Sequence, residues 1–158
     1  MYENQLSVSI PIELGDCSSL TEIDFFGNHF IGSIPITLGR LTNMSFMDLR
    51  QNDLDGEIHP SLGHYKRIQV IDLADNKLSG TIPPSFGMLE GLHMLFLYNN
   101  SLEGLLPKDP IHLKNLTNVN LSNNKLNGSI IPLCCLSFLK TLDLTNNSFF
   151  MENPIPIG

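Results

Sequence analysis

The 158 residues would make one domain on the usual scale of about 100–200 residues, provided the chain is not built from repeats. Only 16% of them are charged, against roughly 25% in ordinary soluble domains, while 42% are hydrophobic, which excludes a disordered chain. The net charge of −7 has the wrong sign for neutralising phosphates and argues against a nucleic-acid partner.

At the start of the chain, MYENQLSVSIPIELG has neither the basic nor the apolar segment of a secretion signal. No later stretch approaches the run of about 18 apolar residues that crosses a membrane. From Asn4 onward one unit recurs: Asn4, Asn28, Asn52, Asn76, Asn100 and Asn124 stand 24 apart, and Asn147 follows after 23. Each complete unit carries apolar residues eight, five and three positions before its Asn and two after it, as Met44, Met47, Leu49 and Leu54 do around Asn52. The resulting L-x-x-L-x-L-x-x-N-x-L pattern is the leucine-rich repeat signature. It divides the chain into a partial repeat over 1–16, full repeats over about 17–40, 41–64, 65–88, 89–112 and 113–135, and a terminal repeat over 136–158, as a single array without caps.

Within a unit, the L-x-L alternation predicts a short strand with one face inward, and stacking of copies predicts a parallel sheet on a concave face. One unit cannot bury its own apolar face, so stability must come from contacts between neighbours. The repeated Asn stands where the chain leaves the strand, and its amide can pair with backbone groups that the turn would otherwise leave unsatisfied inside. These seven residues are read as a structural ladder. Gly32, Gly56, Gly80, Gly104 and Gly128, each four after an Asn, suit a turn with positive φ, and Val8 and Met151 break that column at the ends. The following GSIP, GEIHP, GTIPP, GLLP and GSIIP predict an extended run or second strand on one flank. Segments such as PITLGRLTN are too short and Gly-containing for long helices, so single 3₁₀ or α turns are expected on the convex side. His59 and Ile131 interrupt the Pro column, and the unit around Ile131 to Leu139 is one residue short, which predicts a local bulge. Asn153 leaves the register of ENPIPIG open.

The 24-residue period with L-x-G-x-I-P resembles the plant-specific leucine-rich repeats of receptor-like kinases and receptor-like proteins. More narrowly, LYNNSLEGLLP, LADNKLSGTIPPSFG, IDFFGNHFIGSIP and LNGSIIPLC resemble the ectodomains of Gassho-type (Schengen-type) receptor kinases. The resemblance implies a superhelix that perceives a secreted, sulfated peptide at the plant cell surface, with a leucine-rich repeat co-receptor as a further partner. It also implies a signal peptide, capping cysteine pairs, a membrane span and a kinase, none of which this sequence contains, so the chain is read as a fragment. No G-rich loop with V-A-I-K, H-R-D or D-F-G occurs, and kinase activity is not expected in it. Two alternatives stay open: a soluble extracellular protein resembling polygalacturonase inhibitors, or a truncated remnant.

Binding residues follow from strand geometry. Positions six, four and two before each Asn point outward. They give the ligand-binding candidates Glu22, Asp24, Phe26, Phe46, Asp48, Arg50, Asp72, Met94, Phe96 and Tyr98. The neighbouring carboxylates would repel one another unless a cation meets them, or they form a solvated stripe. Phe46, Met94, Phe96 and Tyr98 are expected to stand exposed and to flank a shallow groove over Val70 and Ala74. Arg50 alone could receive a carboxylate or sulfate. Sequons at Asn43, Asn99, Asn115, Asn127 and Asn146 are glycosylation candidates, Asn43 and Asn115 foremost, while a glycan on Asn120 would obstruct the face. The five histidines and adjacent Cys134 and Cys135 lack metal-site spacing, so neither metal nor cofactor is expected. Cys17 is expected to be a buried thiol that packs as a small apolar side chain.

Overall fold

The structure is a computed structural model that describes residues 4–108 and 110–151, apart from the side chain of Ile111. The strands of the first half are β1 (Glu22–Asp24), β2 (Ile31–Ser33), β3 (Phe46–Asp48), β4 (Asp53–Glu57), β5 (Val70–Asp72) and β6 (Lys77–Ser79). Those of the second half are β7 (Met94–Phe96), β8 (Glu103–Gly104), β9 (Asn118–Asn120), β10 (Lys125–Ser129), β11 (Thr141–Asp143) and β12 (Ser148–Phe150). Odd-numbered strands form one six-stranded parallel sheet in the order β1-β3-β5-β7-β9-β11. Even-numbered strands form two three-stranded flank sheets, β2-β4-β6 and β8-β10-β12, linked by the bridge Thr81↔Glu103 and by the Ser101 N–H donating to the Leu78 carbonyl (2.8 Å). Each coil closes through a 3₁₀ turn, the first over Ile12–Asp16 and the last over Ile131–Cys135. The fold is a leucine-rich repeat solenoid of parallel strands and short 3₁₀ turns.

Register in the long sheet follows the repeat: Ile23, Met47, Ile71 and Leu95 are successive Cα partners, and all point into the core. There Met47, Leu49, Ile71, Leu73 and Leu97 are fully buried. Burial fades at the last coil, where Leu142 of the same column is 42% exposed. Cys17 departs from its expected burial in the same way. It occupies the column filled by buried Leu41, Tyr65, Leu89 and Leu113, yet it is exposed because no described coil stacks on its N-terminal side. Cys134 and Cys135 are also exposed and unpaired.

The repeated Asn links coils through both ends of its amide. Asn76 donates from Nδ2 to the carbonyls of Leu49 (2.9 Å), Leu73 (3.2 Å) and Ala74 (3.0 Å) and accepts at Oδ1 from the Leu54 N–H (3.0 Å). Asn52, Asn100 and Asn124 repeat this pattern. Gly56 and Gly80 take φ of 73° and 72°, as the turn after the Asn requires. A second glycine column meets a different demand: a Cβ on Gly63 would lie 2.4 Å from the Ser85 Cβ, so successive 3₁₀ turns approach too closely for any side chain.

Departures from the repeat are absorbed locally. His59, in place of Pro, keeps the extended conformation (φ −72°, ψ 137°) and accepts the Ser61 N–H at Nδ1 (3.1 Å). The short unit shows no change in sheet register; Ile130 instead adopts αR (φ −86°, ψ −3°) before its 3₁₀ turn, where Pro11, Pro35 and Pro83 are extended. That compact turn takes up the missing residue. Asn153 and the rest of ENPIPIG lie outside the described residues.

Asn76→Ala should destabilise the chain by at least about 2 kcal/mol in urea denaturation, because it strands an interior N–H and several carbonyls. Asn99→Gly, in an exposed amide of the adjacent column where Gly27 already stands, should cost under about 1 kcal/mol.

Candidate functional site

The face of the long sheet turned away from the core carries all ten candidate residues, brought together by register: Glu22, Phe46, Val70 and Met94 form one row, and Asp24, Asp48, Asp72 and Phe96 the next. Glu22 and Met94 are exposed, whereas Phe26, Phe46, Phe96 and Tyr98 are half-buried and not fully exposed as expected. The expected groove is also partly filled. Arg50 and Tyr98 reach toward each other across the intervening coil, and Ala74 beneath them has 0% exposure. Val70 stays half-exposed.

The carboxylate row has a structural task that the sequence reading missed. Oδ1 of each Asx residue accepts the N–H two residues on: Asp24 from Phe26 (3.2 Å), Asp48 from Arg50 (2.9 Å), Asp72 from Ala74 (3.1 Å), Asn120 from Ser122 (2.9 Å) and Asp143 from Thr145 (3.0 Å). These are Asx turns, and the Asp or Asn placed two before the strand exit was their signal. The same bond, from Thr145, holds the Asp143 carboxyl below its ordinary value.

Arg50 supplies the cation between the carboxylates. Its Nη2 lies 4.0 Å from Asp48 Oδ2, its Nε 3.9 Å from Asp72 Oδ2, and its guanidinium sits 4.3 Å over the Phe26 ring. Nε is buried with no hydrogen-bond partner. Burial alone would lower the Arg50 pKa, but the Tyr98 hydroxyl, Asp72 and Asp48 together hold it above its usual value. Burial pushes Asp48 up against the opposing pull of Arg50, and pushes Asp72 up to about 6. Two carboxylates thus share one Arg, and the face keeps an acidic excess.

The sequons fall into two groups. Asn43 and Asn115 donate to carbonyls of the preceding coil, Ser18 (3.2 Å) and Glu90 (2.9 Å), and Asn127 is exposed on β10. Asn99 and Asn146 belong to a row of positive-φ residues, Gln51, Asp75, Asn99, Asn123 and Asn146, all exposed except half-buried Asp75. In that row Asn99 donates to Asp75 (2.6 Å) and Asn123 to Asn99 (2.7 Å). On the flank, where the two small sheets nearly part, Met88, Leu105, Pro107 and Lys108 border a cleft of about 610 Å³.

A stack of parallel strands tied by an Asn ladder, with an irregular outward face, defines a leucine-rich repeat recognition scaffold. Leucine-rich repeat family profiles match residues 66–126, 19–41 and 138–158, and the chain belongs to that family. Among solved structures it is similar to the ectodomain of the Arabidopsis thaliana membrane receptor kinase GASSHO1/SCHENGEN3 in complex with CASPARIAN STRIP INTEGRITY FACTOR 2, with 54% identity and a TM-score of 0.94 over 98% of this chain and 18% of that one. It is also similar to the plant peptide hormone receptor RGFR1 in complex with RGF2, with 36% identity and a TM-score of 0.91 over 94% of this chain and 24% of that one. A third is Arabidopsis HAESA in complex with the peptide hormone IDA and the co-receptor SERK1, with 30% identity and a TM-score of 0.73 over 94% of this chain and 30% of that one. The chain therefore spans about a fifth to a third of these relatives. No curated protein sequence matches it. These neighbours are ligand-binding ectodomains, parts of membrane receptors and not catalytic domains; among the described residues, no helix is long and apolar enough to cross a membrane.

The raised Asp72 pKa sets the sign of one pH effect. The native carboxyl holds its proton more tightly than the unfolded one, so its contribution is most favourable below the unfolded value near 3.8 and is lost as pH rises through about 6. Asp72→Asn, which keeps the Asx turn as Asn120 does, should stabilise the chain by about 1–3 kcal/mol at pH 7 and leave it unchanged at pH 3.5 in paired thermal melts.

Proposed function

We propose that this chain is a ligand-recognition segment of a plant cell-surface receptor ectodomain, which binds a secreted peptide across the outward face of β1, β3, β5 and β7. The observation that carries this reading is the 54% identity over 98% of the chain to an ectodomain solved with its peptide. The face itself supports it: Glu22, Asp24 and Asp48 suit basic groups of a ligand, and Phe46, Met94 and Phe96 offer apolar contact beside them, whereas Asp72, a ligand candidate in the sequence, is buried and turned to Ala74 and Arg50. Arg50, already shared between Asp48 and Asp72, acts chiefly by fixing Phe26 and Tyr98 in place. A leucine-rich repeat co-receptor is the second partner, for which the flank cleft beside Met88 and Leu105 offers apolar surface. The setting is the extracellular side of the plasma membrane, and Asn115 and Asn127 are the sequons best placed to carry glycans.

Calorimetry with synthetic CASPARIAN STRIP INTEGRITY FACTOR 2 tests the reading. The chain should bind the peptide, and Met94→Ala with Phe46→Ala should weaken binding by about tenfold or more; absence of binding, or equal affinity in the double variant, counts against it. For the extracellular setting, mass spectra of plant-expressed material should show hexose on peptides containing Asn115 or Asn127, and bare peptides throughout would argue for another compartment.

A further inference from the structure

One coil of the sheet lacks its Asx turn. In the coils of β1, β3, β5, β9 and β11 the N–H two residues past the strand is taken by an Asp or Asn Oδ1. In the β7 coil that acceptor position is Phe96, and the corresponding donor is the Tyr98 N–H, for which no acceptor exists among the described residues. The surrounding backbone cannot turn to satisfy it. The Leu97 N–H donates to Asn120 (2.9 Å) and the Asn99 N–H to Ser122 (3.0 Å), while the Tyr98 carbonyl accepts from the Asp75 N–H (3.0 Å) and from Asn100 Nδ2 (3.3 Å). In every other coil the acceptor oxygen comes from an outward-pointing side chain, so this N–H opens toward the outer face.

We infer that the Tyr98 N–H is an open donor on the sheet face that receives a main-chain carbonyl of an extended peptide, whose adjacent apolar side chain rests on Phe96 and Met94. The inference rests on the peptide-binding reading and specifies one point of contact within it. A carbonyl-type oxygen fits because Asn120 places one at the same site in the next coil. A carboxylate fits poorly, because Phe96 pairs in register with Asp72 on β5 and Asp75 follows nearby. The side-chain class follows from exposed Met94 (38%) and half-buried Phe96 along the same strand. Tyr98 itself, whose hydroxyl raises the Arg50 pKa, is half-buried on the same face.

Amide NMR on the whole chain tests this, with N-acetyl-L-leucine methylamide as the probe of carbonyl plus apolar side chain. In the wild type, the Tyr98 amide should exchange with solvent about tenfold faster than those of Ala74 and Ser122, and its proton should move to low field as the probe is added. Phe96→Asn, which restores the internal acceptor, should slow Tyr98 exchange by about tenfold and abolish the response. Phe96→Leu, apolar and without an acceptor, should behave like the wild type. Wild-type protection of Tyr98 equal to that of Ser122, or a Tyr98 signal indifferent to the probe, would overturn the inference. A chain that binds the calorimetric peptide without perturbing Tyr98 overturns it alone; a Tyr98 amide that answers the probe in a chain that ignores that peptide supports the donor and counts against the peptide reading.

Discussion

A carboxamide side chain with two donors and one acceptor, repeated at a fixed interval, holds this molecule together. From Asn52 to Asn147, each ladder Asn closes its own turn through Nδ2, reaches back to a carbonyl of the preceding coil, and takes at Oδ1 an N–H from that coil's flank segment. The bonds lie where water is excluded by Leu49, Leu54 and Leu73, so a side chain of another shape would leave interior polar groups unpaired. The leucine columns supply the driving force and the Asn ladder sets the register. Every coil then places residues six, four and two before its Asn on one common outward face.

The residues of that outward face divide between those that bond to the backbone and those that present surface. Most of the carboxylate row first serves the backbone, through Asx turns, and Asp48 and Asp72 turn their other oxygen toward Arg50. Arg50 is held between Asp48, Asp72, Phe26 and Tyr98, and so ties four coils together across the sheet. Where Phe96 replaces the Asx residue, the strand keeps its register but gives up a local bond and gains apolar surface. The fold tolerates that departure because the repeat's register rests on the inward columns and the Asn ladder, not on the Asx turn.

Much of this was legible in the linear sequence. The period fixed the parallel sheet, the inward columns, the ladder and the positive-φ glycines, because each coil repeats one local problem with one local solution. The candidate face was legible for the same reason, since alternation in a strand assigns its sides without knowledge of the rest. Exposure at the ends was not: Cys17 and Leu142 sit in core columns, and only the stack decides whether a neighbouring coil covers them.

The sequence by itself determined the coil, its register and the residues that point outward, because these depend on spacing within one unit and its copies. Only the tertiary structure decided how those outward residues meet. Arg50 lies 24 residues from Ala74 and 48 from Tyr98 in the chain, yet the stacking of coils closes Arg50 and Tyr98 over Ala74. Stacking also buries Asp72 until its carboxyl titrates near 6, and surrounds the Tyr98 N–H with neighbours already satisfied. Side-chain reach, burial and competition for hydrogen-bond partners are properties of neighbouring coils taken together, and no single repeat contains them.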